Sequence, residues 1–206
     1  MSRTVTYTIT NAANGVRFAP CELVQRGAQA SEPAELIDIG TRNPYLEADS
    51  QEFKAGDMVY LNAGAVTQRL TGGNGPICGF ALTDATNVTS GNAAIRIMPV
   101  VTGNVYAMNA CTASSPTTAT NLVDVKTYIG NCYDLAQATV TETDGSTTYC
   151  TVVNLDAQTD ARVVVVGVQK TVDLTSSSFY LRLLVKFLPY GMVSGDPTYQ
   201  GLQFDA

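Results

Sequence analysis

CYDLAQATVTETDGSTTYCTVVNL, residues 132–155, contains the strongest hairpin signal in the chain. Asp144-Gly145 stands between two segments rich in Thr, Val and Tyr, which are residue types that favour strands. An Asp-Gly pair in this setting is typical of a two-residue type I′ turn, in which both central residues have positive φ. We therefore predict a long β-hairpin with a type I′ turn at this position.

Short strand patterns recur outward from this hairpin, separated by clusters of Gly, Asn, Asp or Thr. The predicted strands are 5–10, 57–61, 65–70, 77–82, 93–101, 104–108, 123–130, 132–143, 146–155, 161–170 and 178–188. A helix is the alternative for 178–188, but its Phe, Tyr and Val residues favour a strand. The sequence therefore predicts an all-β fold of small β-barrel or sandwich modules with long irregular arms.

Three segments show no sustained hydrophobic period: 19–56, 109–120 and 189–206. Loops longer than about 12–15 residues are uncommon inside compact domains and are often functional. We predict a β-barrel module over 1–108 that contains 19–56 as an irregular insertion. A second β-rich block is expected over 121–188, followed by a C-terminal arm over 189–206.

The glycine-rich segment RLTGGNGPICGFAL, residues 69–82, raises the question of a nucleotide site. A phosphate loop needs G-x-x-x-x-G-K-[ST] followed by a helix. No Lys and no Ser or Thr follows the last glycine, and ICGFAL continues as a strand. The glycines therefore indicate a turn, and Gly79 within the next strand indicates a bulge or a close backbone approach.

The residue types present exclude several kinds of catalytic site. The chain has no histidine, which removes Ser-His and Cys-His nucleophile pairs and histidine metal sites. Its five cysteines form no C-x-x-C pair, so we expect buried free thiols rather than zinc or redox chemistry. We expect no metal and no cofactor, and we expect that the protein is not an enzyme.

Acidic residues keep one enzymatic alternative open. Asp124 and Asp134 lie near predicted strand centres, while Glu142 and Asp144 flank the hairpin tip. A pair of carboxylates of this kind performs acid–base catalysis in glycosidases when a cleft tunes their pKa values. Solvated strand faces and turns carry acids in the same positions, so a carboxylate-dependent hydrolase stays an alternative rather than the main prediction.

Charge and hydropathy set expectations about partners. The net charge is −6 with 12 Lys and Arg, a balance that disfavours nucleic acid and anionic membranes as partners. No run of about 18 apolar residues is present, so no membrane-spanning helix is expected. MSRTVTYTIT lacks an apolar signal-peptide core, and we expect synthesis in the cytoplasm.

Residues 53–106 carry a resemblance to a known family. The sequence FKAGDMVYLNAGAVTQRLTGGNGPICGFALTDATNVTSGNAAIRIMPVVTGNVY has an A-G-D turn, a short strand and a glycine-rich turn. ICGFAL, an apolar strand and G-N-V-Y follow. This order resembles the small β-barrel modules of tailed-bacteriophage capsid decoration (cement) proteins. The resemblance implies a non-enzymatic virion protein on the outer capsid surface, with the major capsid protein as partner and a trimer as the usual oligomer.

Five apolar residues are the candidate partner contacts, because they interrupt polar, unperiodic segments. They are Tyr45, Leu46, Phe53, Leu202 and Phe204. A side chain of this kind contributes roughly 1.5–3 kcal/mol when a partner buries it. A carbohydrate-binding or tail-fibre-like β module is the alternative interpretation, and it requires an exposed aromatic platform.

Overall fold

The computed structural model describes residues 7–10, 20–25, 45–62, 65–68, 79–86, 89, 93–101, 103–112, 118–119, 124–158, 161–169 and 179–188. Within these residues the elements are β1 (Tyr7–Thr10), β2 (Glu22–Gln25), β3 (Tyr45–Glu47), β4 (Met58–Asn62), β5 (Ala65–Gln68), β6 (Gly79–Ala81), β7 (Ala94–Ile95), β8 (Ile97–Pro99), β9 (Val105–Cys111), β10 (Thr118–Ala119), a 3₁₀ helix (Asp124–Tyr128), β11 (Cys132–Thr141), β12 (Thr147–Asn154), β13 (Val163–Val168), β14 (Phe179–Tyr180) and β15 (Arg182–Phe187). The predicted all-β class is confirmed.

The larger sheet has seven strands and curls until its strands meet. β11, β12, β9, β15 and β13 pair in that order, and β13 pairs back to β11. β1 joins β11 in parallel, and β2 joins β9 in an antiparallel pairing. Curling of this kind leaves few open edges, which are the positions where sheets aggregate.

The smaller sheet has six strands in the order β7-β3-β5-β4-β6-β8. β7 and β8 stand at opposite ends of this order, yet only Arg96 separates them along the chain. The single segment 94–99 therefore pairs with β3 on one side and with β6 on the other. The sheet closes through this segment into a small barrel-like unit. Its interior is filled by Phe53, Val59, Val66, Ala81, Ile95 and Ile97.

The two sheets pack against each other through apolar side chains on the outside of the small unit. Phe80 from β6 meets Phe187 from β15 edge to face, with ring centroids 5.8 Å apart. Tyr106 from β9 contacts the same Phe187 ring at 5.2 Å. Edge-to-face pairs of this kind contribute about 0.5–1.5 kcal/mol beyond their buried area. One continuous apolar core therefore runs from β6 into the larger sheet.

The predicted hairpin is present, but the predicted type I′ turn is wrong. β11 pairs with β12 from Asp134↔Asn154 to Thr141↔Thr147. A type I′ turn needs positive φ at both Asp144 and Gly145. Gly145 has φ 83°, but Asp144 does not have a positive φ, since Ser50 is the non-glycine residue with positive φ in the described part of the chain. Gly145 N–H donates to Glu142 O at 3.0 Å, and Glu142 N–H donates to Ser146 O at 2.8 Å. The tip is therefore a three-residue loop that ends in a left-handed glycine.

The strand predicted over 123–130 is also wrong, because Asp124–Tyr128 forms a 3₁₀ helix. Ile129 N–H donates to Lys126 O at 3.3 Å, which continues the three-residue spacing of such a helix. Asn131 Nδ2 donates to Thr127 O at 2.8 Å and satisfies a carbonyl at the helix end. These local hydrogen bonds outweigh the weak strand preference of the segment.

Two segments that lack a sequence period contain short strands. The segment 19–56 contributes β2 and β3, and 109–120 contains the end of β9 together with β10. Strands of two to four residues are too short to show a period, which is why the sequence does not predict them. β1, β2 and β9 all pair within the larger sheet. The division into units at 109–120 stays a prediction, and the arm 189–206 lies outside the described residues.

Candidate attachment surface

The predicted contact residues that the structure describes differ in their exposure to solvent. Tyr45 is half-buried and packs against the interior of the small unit. Leu46 is 46% exposed on β3. Phe53 is 0% exposed, so it is an interior residue of the small unit and not a surface contact. Leu202 and Phe204 lie outside the described residues.

Leu46 belongs to a continuous exposed surface along the segment that closes the small unit. Leu46 pairs with Ala94 across β3 and β7. Arg96 lies two residues after Ala94 on the same segment, and its carbonyl oxygen accepts a hydrogen bond from Leu82 N–H at 2.8 Å. All four residues are exposed, and Leu82 is 48% exposed. We name Leu46, Leu82, Ala94 and Arg96 the seam patch.

Strand alternation explains why these residues point outward. Ile95 and Ile97 fill the interior of the small unit, so the alternate residues Ala94 and Arg96 face away from it. The sequence predicts this opposition of Arg96 to the two isoleucines, and the structure confirms it. Leu82 directly follows buried Ala81 at the end of β6, and the same alternation turns it outward.

Arg96 adds an exposed positive charge to the seam patch. Within the described part of the chain, its guanidinium makes no ion pair or hydrogen bond, although its backbone N–H donates to Thr83 Oγ1 at 3.4 Å. The carboxylate of Asp84, two residues from Leu82, is already held by Lys54 Nζ at 3.2 Å and by Ala55 N–H at 3.0 Å. The seam patch therefore combines two exposed leucines with an arginine that is open to an external acid.

Hydrogen bonds of the A-G-D turn, residues 55–57, fix the segment that carries Leu82. Asp57 Oδ2 accepts from Lys54 N–H at 2.9 Å, and Gly56 N–H donates to Ala81 O at 2.8 Å. Ala85 N–H donates to Phe53 O at 2.9 Å. The A-G-D turn and the segment that carries Leu82 are thus tied together, and this fixes the position of Leu82.

Glu47, at the end of β3, is a buried carboxylate that the sequence pattern does not predict. Glu47 is fully buried, accepts from Thr86 N–H at 2.8 Å and also contacts the Thr86 hydroxyl. A buried acid is stable when hydrogen bonds satisfy it. Glu47 therefore anchors the segment around Thr86 to β3, next to Leu46.

A second polar cluster, inside the larger sheet, has a structural role. The Arg182 guanidinium donates to Asn109 Oδ1 and to Pro20 O, each at 2.9 Å, and lies 3.4 Å from Glu22 Oε2. Burial lowers the pKa of Arg182, and the nearby Glu22 carboxylate opposes that shift. The cluster holds the segment that leads into β2 against β9 and β15.

The cysteines in the described residues match the expectation of free thiols. Cys111 and Cys150 are buried, while Cys21 and Cys132 are partly buried; Cys78 lies outside the described residues. Burial raises the pKa of Cys150 to about 12, and it also raises the pKa values of Cys21 and Cys132. The positive charge of Arg182 opposes this shift at Cys21 and at Cys150. Thiols with raised pKa values are poor nucleophiles at neutral pH.

The carboxylates considered for hydrolysis lie on different elements: Asp124 on the 3₁₀ helix, Asp134 on β11, and Glu142 and Asp144 at the hairpin tip. The Asp144 carboxylate accepts from Ser146 N–H at 2.9 Å and from Ser146 Oγ at 2.6 Å, which is a turn contact. Asp134 lies half-buried on β11, and nothing is described for the Asp124 side chain. The described residues bring together no group of three or more His, Cys, Asp or Glu side chains that could hold a metal ion.

Comparison with known proteins adds no family to this picture. A helix long and apolar enough to cross a bilayer is absent from the described ranges. No protein-family model, no curated protein and no solved structure matches the chain.

Proposed function

We propose that this protein is a structural virion protein that binds the outer capsid surface and stabilises contacts between neighbouring major capsid subunits. The seam patch is the observation that carries the proposal. Two leucines nearly half exposed, and an arginine beside them whose side chain has no partner among the described residues, form a surface suited to burial against another protein. The resemblance of residues 53–106 to capsid decoration proteins supports the same role.

The energetics of the patch favour attachment through several contacts. Burying a leucine side chain contributes roughly 1.5–3 kcal/mol, so two leucines provide a modest local affinity. A symmetric oligomer presents the patch several times to a symmetric capsid, and multivalency then multiplies the overall affinity by about 10²–10⁴. We propose a trimer, which matches a local three-fold position of a capsid.

The carbohydrate-binding alternative receives less support. Sugar-binding β modules use an exposed aromatic platform, and in the described ranges every aromatic side chain of known burial is buried or half-buried. The exposed large apolar residues in those ranges are Val24, Leu46, Leu82, Val101, Ile129 and Val166. Aliphatic side chains suit a protein surface better than the face of a sugar ring.

Co-sedimentation with purified empty capsids of the source virus tests the proposal. The full-length protein is expected to co-sediment at a saturating ratio that matches one class of symmetric capsid positions. Deletion of residues 189–206 is expected to weaken binding or oligomerisation while the far-UV circular dichroism spectrum stays that of a β protein. A full-length protein that is monomeric in analytical ultracentrifugation and shows no capsid binding contradicts the proposal.

A further inference from the structure

We propose that the seam patch docks onto an aliphatic segment of the capsid subunit that carries a carboxylate, and that this carboxylate pairs with Arg96. The inference rests on the proposed function and deepens it by naming the chemistry of the partner. It also assigns one surface, among several exposed aliphatic positions, as the point of attachment.

The charge of the patch determines the kind of partner that fits it. Arg96 lies beside two exposed leucines and has no partner acid within the described residues. Arginine is enriched among the residues that contribute most to protein interfaces, and its guanidinium binds a carboxylate through two parallel hydrogen bonds. The leucines exclude water around that pair, which strengthens the electrostatic attraction.

Asp84, an acid two residues from Leu82, is engaged by other groups of the chain. Its carboxylate accepts hydrogen bonds from Lys54 Nζ and from Ala55 N–H. The segment around it is fixed further by the hydrogen bond from Ala85 N–H to Phe53 O. Within the described residues no acid pairs with Arg96, so its guanidinium is available to an acid of the capsid subunit.

A capsid subunit suits this patch better than a second copy of the chain. Two patches that face each other across a two-fold axis bring Arg96 against Arg96, and like charges in contact disfavour that arrangement. This repulsion disfavours a two-fold pairing of the patch, and in the proposed trimer we expect the subunits to contact one another through other surfaces, which the oligomeric mass of the patch variants tests.

The test measures capsid binding of surface variants that preserve the fold. Leu46→Ser and Leu82→Ser remove one aliphatic contact each, and Arg96→Gln removes the charge while Arg96→Lys retains it. Ile129→Ser and Val166→Ser are matched controls, because Ile129 is 46% and Val166 is 41% exposed on a different part of the chain. Thermal melting of each variant confirms folding, and sedimentation equilibrium gives its oligomeric mass.

Specific outcomes support or overturn the inference. We expect Leu46→Ser, Leu82→Ser and Arg96→Gln each to raise the capsid Kd about ten-fold or more, while the two controls change it by less than about two-fold. Arg96→Lys is expected to retain part of the affinity, and Arg96→Gln is expected to reduce the salt dependence of binding.

Two further outcomes separate this inference from the proposed function. If wild-type protein binds capsids and the patch variants bind with unchanged Kd, the inference is wrong while the proposed function stands. If the patch variants lose oligomeric mass, a second copy occupies the patch and the inference is again overturned. If wild-type protein does not bind capsids at all, the proposed function itself fails.

Discussion

A Cβ atom on Gly56 would overlap the backbone carbonyl oxygen of Tyr149, so the A-G-D turn of the smaller sheet lies directly against β12. Gly56 has φ 93°, a conformation that residues with a Cβ rarely adopt. Thr151 Oγ1 donates to Gly56 O at 3.2 Å and joins the same two segments. The two sheets are therefore coupled through the backbone as well as through the aromatic contacts.

Gly56→Ala is expected to destabilise the protein strongly, because the new methyl group forces the turn away from β12. The backbone conformation alone costs about 1–2 kcal/mol, and overpacking adds about 1–3 kcal/mol. Gly130→Ala is the matched control, since Gly130 has φ 87° and nothing within 4 Å of an added Cβ. Urea unfolding compares the two free energies of unfolding, and equal losses contradict a specific contact at Gly56.

Gly145→Val is expected to lower the free energy of unfolding by at least about 1 kcal/mol through its left-handed conformation. Open space surrounds an added Cβ at this position, so backbone strain is the dominant effect. Gly145→Asn is expected to cost less, since Asn tolerates this conformation better than Val does. Thermal melting of both variants tests the prediction, and a Val variant as stable as the Asn variant refutes the turn geometry.

Arg182→Met is expected to destabilise the protein by about 2 kcal/mol or more, because it leaves Asn109 Oδ1 and Pro20 O without this donor. Glu22→Gln tests the other side of the cluster. Its side chain is largely exposed, and losing an exposed ion pair typically costs no more than about 1 kcal/mol. Denaturant unfolding measures both losses, and an Arg182→Met variant as stable as Glu22→Gln contradicts the structural role of Arg182.

Alkaline pH is expected to destabilise the protein through Cys150. Burial raises the pKa of Cys150 to about 12, whereas an unfolded cysteine titrates near about 8.5. Between these two pH values the Cys150 thiol is deprotonated in the unfolded chain and protonated in the native chain. The free energy of unfolding therefore falls as pH rises. For one thiol the loss is at most about 1.4 kcal/mol per pH unit. The stabilising contribution is therefore complete below about pH 8.5.

Comparison with Cys150→Ala isolates this effect from other groups that titrate at high pH. The stability difference between wild type and Cys150→Ala is expected to narrow between pH 8.5 and 10.5, as measured by urea unfolding at each pH. A difference that stays constant across that range shows that Cys150 does not carry the raised pKa.

Much of the fold follows from local sequence patterns. The 132–155 hairpin, the outward orientation of Arg96 and the close approach at Gly79 can all be predicted, because alternation and turn residues are local properties. At Gly79 an added Cβ would overlap Met98 O, which explains the glycine in the middle of a strand pattern.

The remaining features depend on contacts between distant residues. Phe53 was expected at the surface because its neighbours are polar, yet it fills the small unit, whose interior is assembled from strands far apart in sequence. Leu82 and Arg96 become neighbours only when β6 and β8 pair, so the seam patch has no sequence signature of its own. The predicted turn type at Asp144-Gly145 is wrong because the turn type depends on the hydrogen bonds that Gly145 N–H and Glu142 N–H donate at the hairpin tip. An Asp-Gly pair alone does not determine which of these hydrogen bonds form.

The thermal stability of capsids with and without saturating protein tests the central claim most directly. A protein that binds across neighbouring capsid subunits is expected to raise the temperature at which empty capsids dissociate, because it binds the assembled state and not separated subunits. Differential scanning calorimetry should show this increase with wild-type protein and a smaller increase with Leu46→Ser. A dissociation temperature unchanged by saturating wild-type protein contradicts the proposed role in stabilising the capsid.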